Sequence, residues 1–180
     1  MANNATGLLD RWRQHSDWIE ILNDGEEPID LEGWALTDDP QNLQKWVFPS
    51  FVLQPGQYLV VFASGRDIRD YDRYRQFHTN FKLDPDGEFL ALVDPEGHIA
   101  FAYQPEYPPQ QPDISYGFRE GRFWYFDHPT PGNPNVGGYN EFVEDPHFSV
   151  EHGFYDQPFY LGEGEVKGLI VKSMFHTEMR

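Results

Sequence analysis

The sequence predicts an all-β sandwich followed by an irregular C-terminal appendage. Aromatic residues, which favour strands, make up 17% of the chain, and 15 prolines with 16 glycines supply many turns. Short apolar runs recur at regular intervals, with Asn, Asp, Gly or Pro between them. The sequence has neither a long helical pattern nor the strand–helix alternation of a parallel sheet, so an all-β fold is favoured.

The first half of the chain predicts strands at residues 18–22, 29–36 and 58–63, with a brief strand at 46–48. In the first strand Trp18 shares a face with Glu20, whose charge indicates the wetter side, so Trp18 is expected to be half exposed. The strand at 58–63 is apolar on both faces, which is typical of a strand in the interior of a sheet.

Two segments of this half are ambiguous. Residues 66–76 have roughly helical spacing and are charge-dense, so they form either a short surface helix or a loop. Their four arginines are interpreted as a solvated face that neutralises neighbouring aspartates. Leu8 and Leu9 are expected to form a short edge strand, and such an edge, or the segment 148–160, is a candidate for pairing between copies.

The second half predicts two hairpins, which join residues 88–94 to 98–103 and residues 114–118 to 123–126. The segment 104–112 between them is rich in proline and is excluded from a central strand. The run PTPGNPN at 129–135 predicts a stiff exit from the domain. We therefore place the sandwich at residues 5–135 and an irregular or partial segment at 136–180.

Charge and composition restrict the partners. Thirty acidic and thirteen basic residues give a formal charge of −17, which disfavours binding to nucleic acid or to an anionic membrane. The chain has no cysteine, so disulfides, thiolate metal sites and cysteine nucleophiles are excluded. No apolar run is long enough for a membrane span, and residues 1–14 do not have the pattern of a signal peptide. The oligomeric state stays open.

A series of ordered motifs resembles the lamin tail domain, an immunoglobulin-like module, and is closest to its bacterial branch. The motifs are SDWIEI at 16–21, LxGWxLTDD at 31–39, WxFP at 46–49, LxPGxYLVVFASG at 53–65, HTNFKL at 78–83, GExLxL at 87–92, SYG at 115–117 and PTPGxPN at 129–135. Together they cover roughly residues 5–135. Residues 148–159 resemble the opening of a second sandwich module, which indicates a fragment of a longer gene product.

The resemblance implies a non-catalytic module for protein interaction or surface architecture within a larger exported bacterial protein. Its partner would be a protein or a cell-surface polymer, and its location would be extracellular or in the cell envelope. The alternative function is a carbohydrate-binding accessory module that acts beside a hydrolase or surface enzyme.

The sequence shows no catalytic constellation, and no enzyme activity is expected. The seven histidines are scattered, and Ser64 before Gly65 lacks the surroundings of a nucleophile elbow. His78 lies in the motif HTNFKL and is interpreted as a hydrogen-bonded loop histidine. An acid–base pair among the thirty carboxylates stays open, because sequence does not reveal their separation.

Candidate binding residues are few. Trp18, Trp124 and Tyr125 are candidates for an aromatic platform, because Trp18 is expected to be half exposed and one member of the other pair should point outward. Trp34 and Trp46 are assigned to the core. No cofactor is expected, although Asp38, Asp39 and Asn42 offer clustered oxygens to a calcium ion. The same residues are ordinary in a turn, and they fall short of the six to eight ligands that calcium prefers.

Overall fold

The computed structural model describes residues 1–140, and its first compact unit runs from Met1 to Glu141. The expectations for the appendage at 136–180 therefore lie largely outside the described residues, as do those for the second-module resemblance at 148–159 and the edge at 148–160. Among the described residues, no helix has the length and apolar character needed to cross a membrane.

The described part of the chain is almost entirely β. Its elements in chain order are β1 (Asp17–Leu22), β2 (Ile29–Asp30), β3 (Ala35–Thr37), β4 (Trp46–Val47), β5 (Val52–Leu53), β6 (Tyr58–Ala63), α1 (Tyr71–Tyr74), β7 (Phe77–His78), β8 (Leu90–Val93), β9 (Ile99–Tyr103), β10 (Ser115–Arg119) and β11 (Arg122–Phe126). The predicted all-β, immunoglobulin-like sandwich is confirmed, and the only helix among residues 1–140 is the single turn α1.

The first sheet has the order β1-β6-β7. Strand β6 lies in its middle, antiparallel to β1 and parallel to β7, as its two apolar faces predicted. The turn before β6 places Gly56 at φ 72°, a left-handed conformation that glycine adopts without a steric penalty. The proline and glycine at 55–56 therefore fix where β6 begins.

The second sheet has the order β4-β3-β8-β9. The predicted hairpin at 88–103 supplies β8 and β9, and its register shifts between Leu92 and Val93. Two smaller sheets complete the fold, β2 with β5 and the hairpin of β10 with β11. Both predicted hairpins are therefore confirmed.

The main core joins side chains from both larger sheets. Trp46, Phe77, Leu36 and Val61 are almost fully buried in it, and Trp34 packs against it while half-buried. Strand β6 contributes every second residue to this core, Leu59, Val61 and Ala63. This spacing is expected because alternate side chains of a strand point to the same face. The assignment of Trp34 and Trp46 to the core is confirmed.

The N-terminal segment departs from its prediction. Leu8 and Leu9 form no strand, so the expected edge at 8–9 is wrong. Side chains hold this segment instead, since Asp113 accepts hydrogen bonds from the backbone N–H groups of Ala5, Thr6 and Gly7. The Thr6 hydroxyl also donates to Asp113 at 2.6 Å, and this bond, followed by the backbone bonds, lowers the pKa of Asp113. A carboxylate that is distant in sequence can accept the hydrogen bonds of backbone N–H groups in a loop, as a neighbouring strand would. Sequence periodicity does not reveal such a contact.

Candidate functional site

Strand β9 is an open edge of the second sheet. It pairs with β8 on one side, and no other named strand of residues 1–140 pairs with it on the other. The chain then leaves the sheet through 104–112, whose prolines lack the N–H that a neighbouring strand would need. Ile99 and Phe101 of β9 are exposed. An exposed apolar edge is a template for pairing with another strand.

Five aromatic side chains lie together beside this edge and are called the aromatic cluster: Phe101, Tyr103, Tyr116, Phe118 and Phe123. Ring centroids are 6.1 Å apart for Phe101 and Phe118, 5.3 Å for Phe118 and Phe123, and 5.1 Å for Tyr103 and Phe123. Phe101 is 38% exposed and Phe118 is 52% exposed. The other three members are half-buried, so the exposed part of the cluster is the adjoining pair Phe101 and Phe118, and exposed apolar groups in contact indicate an interaction surface.

A cavity of about 980 Å³ opens between β1 and the aromatic cluster. Phe101, Tyr103, Tyr116 and Phe118 line it from the cluster, and Trp34 lines it from the core. Its size is at the upper end of the range for small-molecule pockets, so it can accept large side chains. The wall is mainly apolar, with Asp24, Arg119 and Glu120 among its few charged residues, so it favours an apolar occupant over a charged one.

The electrostatics of the cavity wall agree with this preference. Glu20 is half-buried there, and burial raises the pKa of its carboxyl group. One Glu20 oxygen accepts a hydrogen bond from the N–H of Gly132 at 2.6 Å, which partly compensates for lost hydration. Burial also raises the pKa values of Tyr103 and Tyr116, so both phenols stay neutral at physiological pH.

Trp18 corrects one expectation about exposure. Its side chain is only 5% exposed, so the prediction that it is half exposed is wrong. The backbone N–H of Trp18 donates to the carbonyl oxygen of Met1 at 3.1 Å, and the buried Ala2 follows, so the N-terminal segment lies along this part of β1. Trp18 therefore belongs to the wall of the cavity and is not a surface platform.

The other two aromatic candidates lie on β11. Tyr125 is buried and its ring is 4.7 Å from that of Tyr116, whereas Trp124 is half-buried. The indole N–H of Trp124 donates to the carbonyl of Arg119 at 3.2 Å, and the Arg122 guanidinium lies 5.9 Å from the ring centroid. The two side chains thus differ in exposure as their alternation predicted, while their role in binding stays a prediction.

The three calcium candidates form a hydrogen-bonded turn. The Asp38 carboxylate pairs with the Lys45 ammonium at 2.6 Å. The Thr37 hydroxyl accepts from the Asp39 N–H and lies 2.8 Å from the Asn42 carbonyl oxygen. Among the described residues, no group of three or more histidine or acidic side chains is placed to hold a metal ion. The oxygens of the three candidate residues therefore take part in contacts that stabilise the turn, which is the ordinary role of such residues.

Adding calcium should leave the melting temperature of the protein unchanged within about 1 °C at millimolar concentration, since only a ligand that binds the folded state stabilises it. The reason is that Lys45 already neutralises Asp38 and Asn42 serves the turn through its carbonyl. Differential scanning fluorimetry with and without a chelator measures this. A larger calcium-dependent rise that disappears in Asp38→Asn would restore the metal site.

The structure brings together Ser64 and His78, a contact that sequence analysis missed. The Ser64 hydroxyl lies 2.8 Å from Nδ1 of His78, and His78 is fully buried. Burial lowers the pKa of His78 to about 4. Nε2 has no hydrogen-bond partner among the described residues, so the pair lacks the carboxylate that orients a catalytic histidine. The interpretation of His78 as a hydrogen-bonded residue is confirmed, whereas its expected placement in a loop is wrong because it lies on β7.

Sequence reasoning also missed the aromatic cluster. One signal was present, since β9 is apolar at every position from Ile99 to Tyr103 and a proline-rich segment follows it. Prolines next to a strand indicate a sheet edge, and an apolar strand at an edge leaves part of its surface uncovered. The contact with the later hairpin had no local signal, because it depends on how distant strands pack.

Comparison with known proteins gives one finding. A family model described as Lamin Tail Domain matches residues 2–105, which is more than half of the chain. No curated protein shows a significant match. The matched range ends in the proline-rich segment after β9, so the β10–β11 hairpin lies beyond it. The aromatic cluster combines Phe101 and Tyr103 from the matched range with three residues of this hairpin.

Proposed function

Because the chain belongs to the lamin tail domain family, whose immunoglobulin-like fold serves as an interaction module, we propose that it binds an extended segment of a partner protein along β9. The observation that carries this proposal is the exposed aromatic cluster beside an unpaired strand edge. The module is proposed to be non-catalytic, and its binding chemistry is strand addition combined with apolar side-chain insertion.

The two parts of this surface have complementary roles. The free side of β9 offers backbone N–H and C=O groups, which hold any extended chain and carry little sequence information. The cavity behind Phe101 and Phe118 selects the side chain that enters it. A partner segment with large apolar residues at alternate positions fits both, since every second side chain of a strand points to the same face.

The cellular setting forms a further part of the proposal. We place this module in the surface architecture of a larger exported bacterial protein, because its ordered motifs are closest to the bacterial branch of the family. Fractionation of the native cells with an antibody raised against residues 1–140 tests this placement. Recovery of the protein only with cytosolic markers would contradict it.

A random peptide library displayed on phage, selected on the full chain, provides a probe for the β9 surface. The enriched peptides should alternate apolar and polar residues and should protect the β9 amides from hydrogen exchange. A synthetic peptide from this selection should bind Phe101→Lys at least about tenfold more weakly than wild type, because loss of an interface anchor commonly has effects of this size.

Val52→Lys provides the matched control. Val52 is also an exposed apolar residue on a short strand, but it lies on β5 and does not line the cavity. This variant should bind the peptide as wild type does. Equal binding by Phe101→Lys and wild type, or a selection that enriches no peptide, would overturn the proposed surface.

The carbohydrate-binding alternative has one structural support. Trp124 is half-buried beside the exposed Arg122, an arrangement in which an aromatic ring and a polar group meet at the surface. Glycan-array binding that Trp124→Ala abolishes and Phe101→Lys leaves intact would favour this alternative over peptide binding. We rank it second because the aromatic cluster is larger and borders a cavity.

A further inference from the structure

Arginine side chains surround an exposed tryptophan in a second part of the molecule. The Arg66 guanidinium carbon lies 4.6 Å from the ring centroid of Trp12, and that of Arg11 lies 5.6 Å from it. Arg11 and Arg73 also lie 5.2 and 5.1 Å from the ring centroid of Tyr74. Trp12 is 39% exposed. We call Arg11, Arg66 and Arg73 with these two rings the arginine patch.

Neutral groups hold two of the three guanidinium groups of the patch in place, while, among the described residues, that of Arg73 contacts only the Tyr74 ring. Arg66 donates from Nη2 to the side-chain oxygen of Gln14 at 3.1 Å, and Arg11 donates from Nη1 to the carbonyl oxygen of Arg73 at 3.1 Å. Stacking on the aromatic rings restricts them further. Each guanidinium group has five N–H donors in a planar, fork-like arrangement. The contacts above use only some of them, so further donors stay available.

No carboxylate within residues 1–140 forms an ion pair with the arginines of the patch. The neighbouring Arg69, by contrast, pairs with Asp67 at 2.9 Å, and Arg75 lies 3.7 Å from Asp72. The sequence-based interpretation that all four arginines of 66–76 neutralise local aspartates therefore holds for Arg69 and Arg75 only. Within the described part of the chain, Arg11, Arg66 and Arg73 therefore place three guanidinium groups without an ion pair on one surface.

A polar pocket of about 460 Å³ adjoins the patch at Arg66. Lys82 and His15 line it together with the hydroxyl-bearing Ser16 and Ser64. The pocket lining also includes the carboxylate of Asp17, which accepts a hydrogen bond from the backbone N–H of Asn4 at 3.0 Å. The cationic groups of Arg66 and Lys82 therefore extend the arginine patch into a concave surface.

We propose that the arginine patch binds the carboxylate side chains of an acidic segment in a partner protein. A guanidinium fork matches a carboxylate with two parallel hydrogen bonds, and forks that are already fixed lose little entropy on binding. The three forks of Arg11, Arg66 and Arg73 accept carboxylates spaced along one extended peptide. The adjoining pocket receives a further acidic side chain beside Lys82.

The surrounding charges favour a polypeptide over a nucleic acid. Asp67, Asp70 and Asp72 lie among the arginines of this region, and the whole chain carries −17. A polyphosphate bears a charge at every nucleotide and would meet these aspartates as well as the arginines. An acidic peptide can place neutral residues opposite the aspartates.

This site is independent of the β9 surface. None of the residues of the arginine patch or of its pocket lines the cavity beside the aromatic cluster. The chemistry also differs, since one surface is apolar and the other is cationic. The acidic-segment proposal can therefore fail or succeed without affecting the proposed function.

Fluorescein-labelled octaglutamate tests the proposal by fluorescence anisotropy with the full chain in about 50 mM salt, where screening is weak. Wild type should bind, and the double variant Arg11→Gln with Arg66→Gln should bind at least about tenfold more weakly, since two charge-assisted contacts are removed. Arg122→Gln is the matched control, because Arg122 is exposed and lies outside the patch. It should bind within about twofold of wild type, as expected for a distant surface charge.

The double variant Arg11→Lys with Arg66→Lys separates recognition by the planar guanidinium from the effect of net charge. It keeps both charges but lacks the planar fork, so its affinity should fall between those of wild type and the Gln variant. Failure of octaglutamate to bind wild type, or equal binding by the Gln variant, would overturn the proposal. Tighter binding of a single-stranded octanucleotide that also needs Arg11 and Arg66 would assign the patch to nucleic acid instead.

Discussion

Replacing Trp46 by alanine should lower the free energy of unfolding by about 4 kcal/mol, a typical value for a buried aromatic residue. Trp46 is 0% exposed, and its ring lies 4.6 Å from that of Phe48 and 5.9 Å from that of Phe77. Its indole N–H donates to Asp67 at 3.1 Å. The variant would lose edge-to-face contacts at the centre of the main core and leave a large cavity there.

Chemical denaturation and thermal melting measure this loss. A fall in melting temperature of roughly 10 °C or more is expected, given a few degrees per kcal/mol in a domain of this size. Trp46→Phe keeps an aromatic ring and loses the hydrogen bond to Asp67, so about 1–2 kcal/mol is expected for it. If Trp46→Ala does not fold at all, the milder variant still reports on the site.

Trp124→Ala is the matched control for a tryptophan outside the main core. Trp124 is half-buried, so its removal should lower the free energy of unfolding by about 1–2 kcal/mol. Equal losses for the two alanine variants would contradict the position of Trp46 at the centre of the core.

Acidification from pH 7 to pH 4.5 should destabilise the fold by about 2–3 kcal/mol through His78 alone, in addition to any effect of the carboxylates. Burial lowers the pKa of His78 from 6.5 to about 4, with Arg66 acting in the same direction and Asp10 opposing it. Between these two pKa values the unfolded chain binds a proton that the folded chain does not. Stability therefore falls as pH drops through this window and levels off below about pH 4, as far as His78 is concerned.

The contacts of His78 explain why its neutral form is required. Its ring stacks on Phe62 with centroids 5.1 Å apart, and the edge of Trp12 lies 5.3 Å away. Nδ1 contacts the Ser64 hydroxyl, while Nε2 has no partner among the described residues. A charged imidazolium would have an N–H in this apolar contact with no acceptor, which is unfavourable.

His78→Gln removes the titrating group. Urea denaturation at pH 7 and pH 4.5 should therefore show a pH-dependent loss in the free energy of unfolding that is about 2–3 kcal/mol smaller than in wild type. His15→Gln is the control, because His15 is exposed and this variant should keep the wild-type slope. An NMR titration of the His78 ring in the wild type gives a second, independent measurement. A ring pKa near 6.5 would contradict the prediction.

The local pattern of the sequence determined most strands and the turns of both hairpins, although the single strand expected at 29–36 is divided into β2 and β3, which lie in different sheets. Alternating apolar residues indicated β1, and a run apolar on both faces indicated that β6 lies inside a sheet. Each hairpin turn contains a glycine with positive φ, Gly97 in the first and Gly121 in the second, a conformation that few other residues adopt. These features depend on neighbours in the chain, so the sequence alone was sufficient.

Only the tertiary structure decided which surfaces are covered. Alternation showed that Trp18 and Glu20 share a face, but the N-terminal segment that covers Trp18 had no recognisable pattern. The aromatic cluster, the Ser64–His78 contact and the arginine patch each join residues that are distant in sequence or lie in irregular segments. Strand period fixes which side chains share a face, whereas burial depends on packing between distant segments, and both proposed binding surfaces arise from that packing.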